Sequence, residues 1–234
     1  MKTYINIVLV LCVSVIFTSC TLDLQDNFEF KQDLDTTDPH DTKTAWEFIQ
    51  ERTELTEEDT TYSFEELNYM IAAIKKAGFE DLYDQTATAD RTYLLLNNAA
   101  FLRSGNNIVN IVTGSPVVGP DETAEEVMER VDTPEKLETL RTLLKYHIVD
   151  AYVAQVPTLF ETEVRYVFQT LIPGNDGLIV FSRNSRWSIQ VNTAPAPLPA
   201  TATSRPENVR RHNYVFNNGI GHFIHDLVQN KPYN

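Results

Sequence analysis

Two histidines near the end of the chain, His222 and His225, carry side chains that could bind a metal ion or move a proton. A separation of three residues places two side chains on one face of a helix, where they could ligate zinc together. On a strand the same odd separation directs them to opposite faces. Because the surrounding residues favour a strand, we expect no zinc site here, and we expect no other metal or cofactor.

A group of aspartates near the start of the chain is the second candidate for chemistry, since calcium prefers carboxylate oxygens. The group comprises Asp33, Asp35, Asp38 and Asp41. Its spacing lacks the turn glycine and the terminal glutamate of a calcium-binding loop. A solvated acidic segment is the better interpretation.

The familiar motifs of catalysis are missing from the sequence. It contains no Gly-x-Ser-x-Gly nucleophile elbow, no glycine-rich phosphate loop and no His-Glu-x-x-His zinc motif. We therefore predict that the protein is not an enzyme. A glycan hydrolase that uses two carboxylates stays open as the alternative, because the pairing of such carboxylates depends on the fold.

Arginines cluster in the last quarter of the chain and are candidates for binding a sugar, a carboxylate or a protein partner. They are Arg183, Arg186, Arg205, Arg210 and Arg211. The alternative is that they are solubilising surface charges. Trp187 alternates with Ile189 and Val191, which predicts that the indole lies in the core. We expect two long segments, residues 104–132 and 193–211, to border any ligand.

The first 19 residues are typical of a signal peptide. Lys2 precedes an apolar run at residues 5–17, which is too short for a helix that must cross about 30 Å of hydrocarbon. The quartet Phe17-Thr18-Ser19-Cys20 resembles the bacterial lipobox, whose cysteine is lipidated. The resemblance implies a lipid on Cys20 that attaches the mature chain to a membrane. The other cysteine, Cys12, leaves with the signal peptide, so we expect no disulfide.

Residues 20–43 are interpreted as an acidic tether. The chain has a net charge of −14, and residues 21–66 hold 15 acidic and three basic side chains. Such a segment repels anionic lipid head groups and stands off the membrane. Asp23 and Asp26 resemble the signal that sends some lipoproteins to the outer membrane, facing the cell exterior. An acidic chain without a basic run makes nucleic acid a poor partner.

Helical signals precede strand signals along the chain. Folding is predicted to begin at Thr44, with one short helix around residues 46–49 and a longer helix from Ser63 to Gly78. Capping signals at Thr123 and Thr133 predict two more helices, the second ending near residues 146–147. After residue 150 the pattern alternates, with turns at residues 173–177, 183–186 and 217–219 and a projecting loop at residues 193–206. This order indicates an α+β domain.

Three stretches resemble the fasciclin-like domain over residues 44–231. The first, Thr92-Tyr93-Leu94-Leu95-Leu96-Asn97-Asn98-Ala99-Ala100-Phe101, is similar to the family's first box, with Leu96 in place of its usual proline. The second, Leu143-Leu144-Lys145-Tyr146-His147-Ile148-Val149, is similar to its Tyr-His motif. The third, Asn218-Gly219-Ile220-Gly221-His222-Phe223-Ile224-His225, is similar to its second box. The resemblance implies a β-sandwich wedge with several helices packed at one side.

In that family the boxes are chiefly framework, so the resemblance implies structural roles for the matching positions. These are Asn98, Phe101, Tyr146, His147, Asn218, Gly219 and His222. The function implied is adhesion or binding of a protein or glycan, with assistance to a glycan-uptake complex as one form. A structural component of a surface assembly is the further alternative. Contact with a receptor through the Tyr-His motif, as in some animal relatives, stays a lesser one.

Overall fold

The computed structural model describes residues 38–53, 65–103, 107–192 and 207–228. Among them the helices are α1 (Ala45–Gln50), α2 (Asn68–Ala77), α3 (Glu80–Asp84), α4 (Asn98–Leu102), α5 (Ile108–Thr113), α6 (Ala124–Glu129) and α7 (Pro134–Tyr146). The strands are β1 (Asp38–His40), β2 (Thr92–Leu96), β3 (Ile148–Val149), β4 (Arg165–Gln169), β5 (Leu178–Arg183), β6 (Ile189–Val191), β7 (Glu207–Phe216) and β8 (Gly219–Ile224). Helices dominate before β3 and strands after it, which confirms the α+β class. The predicted signal peptide, Cys20 and Arg205 lie outside the described residues.

The helices begin where the sequence supplies capping side chains. The Thr44 and Thr123 hydroxyls accept a hydrogen bond from the backbone N–H of the third residue of α1 and of α6, respectively. That third residue is a glutamate in both helices, and its carboxylate accepts the backbone N–H of the capping threonine. Thr133 caps α7, whose first residue is proline, as predicted. Gly78 ends α2 with a φ of 68°, a left-handed conformation that glycine adopts without strain. These local predictions are confirmed.

Two boundaries differ from the predictions. Helix α2 begins at Asn68, so the capping box inferred at Ser63 and Glu66 does not start it, and Ser63 lies outside the described residues. Strand β1 precedes Thr44 and pairs in parallel with β7, with Pro39 opposite Val215. The end of the segment interpreted as a tether is therefore part of the sheet, because its backbone joins the ladder.

The strands follow the order β3-β2-β8-β7-β6-β5-β4, with β1 also beside β7. Strand β7 joins the two halves of the sheet, because Glu207 pairs with β6 while residues beyond Val209 pair with β8 through register shifts. The chain just after β4 returns to β3, where the Leu171 N–H donates to the Ile148 carbonyl at 3.0 Å. The described sheet is thus nearly closed, and the finer arrangement as a sandwich-like wedge stays a prediction.

The core lies between this sheet and the helices. All five residues of β2 are buried, as are all six of β8, so the two parallel neighbours form the buried centre of the sheet. Fully buried strands carry near-continuous apolar runs, as Tyr93 to Leu96 do here. Polar side chains that enter this region must find partners inside the protein, which is the situation of the motif residues.

Candidate functional site

Asn218 lies in the turn between β7 and β8 and is fully buried. Its Oδ1 accepts a hydrogen bond from the Ala45 N–H at 2.9 Å, and its Nδ2 donates to the carbonyls of Tyr83 at 2.8 Å and Gln85 at 2.9 Å. Ala45 opens α1, while the two carbonyls lie at the end of α3. One amide therefore satisfies groups at both helix ends, which have no partner within the helices themselves.

Gly219 follows with a φ of 151°, in a region that side chains rarely adopt. A Cβ atom there would lie 2.2 Å from the Arg91 carbonyl oxygen. The same carbonyl accepts the Ile220 N–H at 2.8 Å, so the two backbones are held together. Glycine is required at this position by the close approach.

Tyr146 and His147 end α7 and are buried. The Tyr146 hydroxyl donates to the Leu178 carbonyl at 2.9 Å and accepts from the Asn192 amide at 3.0 Å. His147 Nδ1 bonds the Leu143 carbonyl at 2.8 Å, and its Nε2 faces the Val228 N–H at 3.3 Å. The ring must therefore donate at Nδ1 and accept at Nε2. Burial lowers the pKa of His147 to about 4, so the ring is neutral at pH 7.

His222 is held in the opposite tautomer. Its Nε2 bonds the Val153 carbonyl at 2.7 Å, while its Nδ1 accepts the Asn213 N–H at 3.1 Å. Burial first, and the nearby His212 second, lower the pKa of His222 to about 4. Asn213 has a φ of 65° and bonds the Gln155 N–H through its side chain, so His222 fixes a distorted part of β7 against the loop after β3.

The polar side chains of the first box also bond backbone groups at helix ends. Asn98 Oδ1 accepts the Tyr69 N–H at 3.2 Å, near the start of α2, and Phe101 is buried against Tyr69 with ring centroids 5.8 Å apart. Asn97 caps α4 by accepting the Ala100 N–H, and its amide bonds His225 Nδ1. The polar motif residues thus bond helix ends and irregular backbone in the interior. This geometry supports a framework role for them.

The candidate arginines separate into different environments. Arg183 is buried, contrary to its prediction as an exposed binding residue: its Nε donates to the Leu159 carbonyl at 2.7 Å and its Nη2 to the Phe160 carbonyl. Arg211 Nε lies 2.8 Å from Oε1 of Glu65, a buried carboxylate that also accepts the Tyr214 hydroxyl at 2.8 Å. Arg211 therefore neutralises an interior charge.

Arg186 and Arg210 are exposed on the surface. Arg210 lines a cleft of about 440 Å³ where β7 begins, together with Ser188, Asn208, His225 and Asp226. Burial, followed by the positive charges of Arg210 and Arg103, lowers the pKa of His225, while Asp226 opposes this shift. The cleft offers a cation, hydroxyl and amide groups, and a carboxylate to a ligand.

The exposure of Trp187 contradicts a second prediction. The alternation with Ile189 and Val191 suggested a core position, but the indole is 44% exposed. Strand β6 begins only at Ile189, and Trp187 lies in the preceding turn with a φ of 65°. A left-handed conformation of a bulky residue costs about 1 to 3 kcal/mol. The prediction was wrong because the two-residue alternation of β6 does not continue back into the turn that contains Trp187.

Two features of the site were missed from the sequence. Phe160 is 69% exposed beside the Trp187 turn. Glu65 is buried as the partner of Arg211, and it lies in an acid-rich segment where a buried carboxylate has no local signal. Among the residues that the structure describes, no group of three or more His, Cys, Asp and Glu side chains could hold a metal ion.

Comparisons with known proteins give likenesses among solved structures. No protein-family model matches the sequence, and no curated protein matches it. A solved FAS1 domain pair from the insect cell adhesion molecule fasciclin I aligns with 80% of this chain, with a TM-score of 0.49 and 11% identity. The alignment covers 51% of that structure, so the chain spans about half of the domain pair to which it is similar.

Proposed function

We propose that this chain is a surface-anchored lipoprotein whose folded domain binds a protein or glycan without catalysing a reaction. The observation that carries the proposal is that two sets of polar side chains lie in different environments. Those of the fasciclin-like motifs are bonded to backbone groups in the interior, whereas Arg186, in the turn before β6, and Arg210, near the start of β7, remain exposed. Binding residues are commonly placed on loops that a rigid scaffold positions.

The fasciclin-like wedge is part of the proposal. The three motifs lie at connected places in the fold: β2 of the first box pairs with β8 of the second box, and β3 after the Tyr-His motif pairs with β2. Residues that are distant in sequence but similar to one family's motifs thus meet in one part of the sheet. This convergence supports a shared framework.

Attachment to the outer membrane through Cys20, with the domain facing the exterior, belongs to the same proposal. It rests on the lipobox and the acidic segment after it. Within the described parts of the chain, no helix is long and apolar enough to cross a membrane. Assistance to a glycan-uptake complex is the form of binding that we favour for such a lipoprotein.

Cys20→Ala should abolish incorporation of labelled fatty acid and release the protein from the membrane fraction. Lipidation requires the thiol, and the only other cysteine is Cys12. The measurement is radiolabelling of cells with palmitate, followed by phase separation in detergent. Cys12→Ala is the matched control and should keep the label. Labelling of the Cys20→Ala protein at wild-type levels would contradict the anchor.

Arg210→Ala should weaken ligand binding by tenfold or more without changing the melting temperature. A hydrogen bond to a charged group contributes about 1.5 to 3 kcal/mol, and 1.4 kcal/mol corresponds to tenfold in affinity. The measurement is a binding screen of the mature protein against an oligosaccharide array and fractionated cell-surface extracts. Arg165→Ala, which changes an exposed arginine of β4, is the matched control.

The same screen separates the alternatives. Turnover of an array oligosaccharide would establish the glycan-hydrolase alternative, and an assembly component would bind neither sugar nor soluble partner. If His222→Gln abolished binding while leaving stability intact, the second box would be the binding site and the framework assignment would be wrong.

A further inference from the structure

One edge of the domain presents two aromatic side chains to solvent. We call it the Trp187 edge and define it as residues 160–163 and 184–187. The two segments are adjacent because Thr162 pairs with Arg183 and the Glu163 N–H donates to the Arg183 carbonyl at 2.7 Å. Phe160 is 69% exposed and Trp187 is 44% exposed. Large exposed aromatic groups are unfavourable in water, so a pair of them on one edge indicates a contact surface.

The indole of Trp187 is held in place by the side chain of Arg183, which packs on one face of the ring. The buried Arg183 guanidinium lies over the ring at 4.1 Å from its centroid and is itself anchored to the carbonyls of Leu159 and Phe160. The Gln155 side chain donates to the Trp187 carbonyl. A ring that is already ordered loses little conformational entropy when a ligand contacts it. This arrangement suits a rigid stacking platform.

The backbone is also strained at this edge. Trp187 has a φ of 65°, and Glu163, in the neighbouring segment, has a φ of 63°. The Asn184 carboxamide oxygen accepts the N–H groups of Arg186 and Ser188, at 2.9 Å each, and so stabilises the turn. Glycine or asparagine would fit such a turn with less strain. Non-glycine residues in this conformation concentrate at functional sites, where the surrounding structure holds them.

We propose that the Trp187 edge is a stacking platform for a neutral sugar ring, an inference that rests on the binding function proposed above. The axial C–H groups of a pyranose carry partial positive charge and pack against the negative face of an aromatic ring. Glu161 and Glu163 are exposed beside Phe160 and accept hydrogen bonds from sugar hydroxyls, while exposed Arg186 donates them. The two carboxylates disfavour an anionic sugar or an anionic lipid surface.

The test uses the mature lipoprotein in detergent and neutral hexasaccharides of glucose, xylose, mannose and N-acetylglucosamine. The chain contains two tryptophans, and Trp46 is only 8% exposed, so quenching by acrylamide reports on Trp187. We expect at least one hexasaccharide to protect Trp187 from acrylamide and to bind by calorimetry. Trp187→Ala should reduce its affinity at least tenfold, and Trp187→Phe should retain most of it. Val117→Ala, which changes another exposed apolar residue, is the matched control.

Several outcomes would overturn the inference. One is that no hexasaccharide of the panel binds, and another is that binding survives in Trp187→Ala with unchanged affinity. Loss of binding in Arg210→Ala with full binding in Trp187→Ala would overturn the platform while preserving the proposed function. Binding of a protein alone, or of anionic vesicles, through Trp187 would also contradict the sugar assignment. Alanine, like tryptophan, carries a Cβ and adds no further strain at a φ of 65°, so Trp187→Ala should stay folded, and its melting temperature verifies this.

Discussion

Asn218→Ala should lower the free energy of unfolding by about 3 to 5 kcal/mol, because three backbone groups, two of them buried and one half-buried, lose their partner. These are the Ala45 N–H at the start of α1 and the carbonyls of Tyr83 and Gln85 at the end of α3. Each group belongs to a helix end that has no other partner within its helix. Water that enters the vacated space would restore part of the lost bonding, which keeps the total below the sum of three full penalties.

The measurement is urea denaturation followed by circular dichroism. Asn217→Ala is the matched control, since Asn217 is exposed in the same turn and bonds Lys43 through its backbone N–H. The control should change stability by less than about 0.5 kcal/mol. Asn218→Asp is a second informative variant, because a carboxylate accepts from Ala45 but cannot donate to the two carbonyls. Equal stability of Asn218→Ala and Asn217→Ala would show that the motif asparagine is not a framework residue.

Much of the local structure could be predicted because its causes lie within a few residues. The capping threonines at residues 44, 123 and 133 and the turn at residues 217–219 are examples. The sequence does not reveal which strands are neighbours. Strand β1 has three residues and no alternation, and it exists because β7 offers an unpaired edge to it. That partner is remote along the chain.

The candidate site was predicted less well, because burial of a charged side chain depends on tertiary partners. Arg183 and Arg186 are three residues apart and look alike in the sequence. One guanidinium points into carbonyls of a neighbouring loop and the other lies in solvent. Glu65 is likewise buried because Arg211 and Tyr214 of β7, together with Arg52 after α1, are its partners. The motif histidines, His147 and His222, are buried, and the framework role that the resemblance implies for them stays a prediction.

Acid should destabilise the domain well before its carboxylates are protonated. The pKa of His147 and that of His222 are each lowered by burial from 6.5 to about 4. Below pH 6.5 the unfolded chain therefore binds protons that the folded chain does not, and stability falls as the pH decreases toward 4. The loss at pH 5 is about 2 kcal/mol for each histidine and about 4 kcal/mol for both. Carboxylates such as Glu122 and Asp132, whose pKa values are lowered, remain ionised at that pH.

The hydrogen bonds explain why neither ring can accept a second proton in place. His147 Nε2 accepts the Val228 N–H and His222 Nδ1 accepts the Asn213 N–H. A proton added to either nitrogen would place two donors against each other and break that hydrogen bond. Urea denaturation at pH 7 and pH 5 should show the loss, and His147→Gln or His222→Gln should each remove about half of the pH dependence. His212 and His225, whose pKa values are also lowered by burial, should add a smaller contribution of the same sign. Imidazole resonances of His147 or His222 that titrate near pH 6.5 in the folded protein would contradict the buried neutral tautomers.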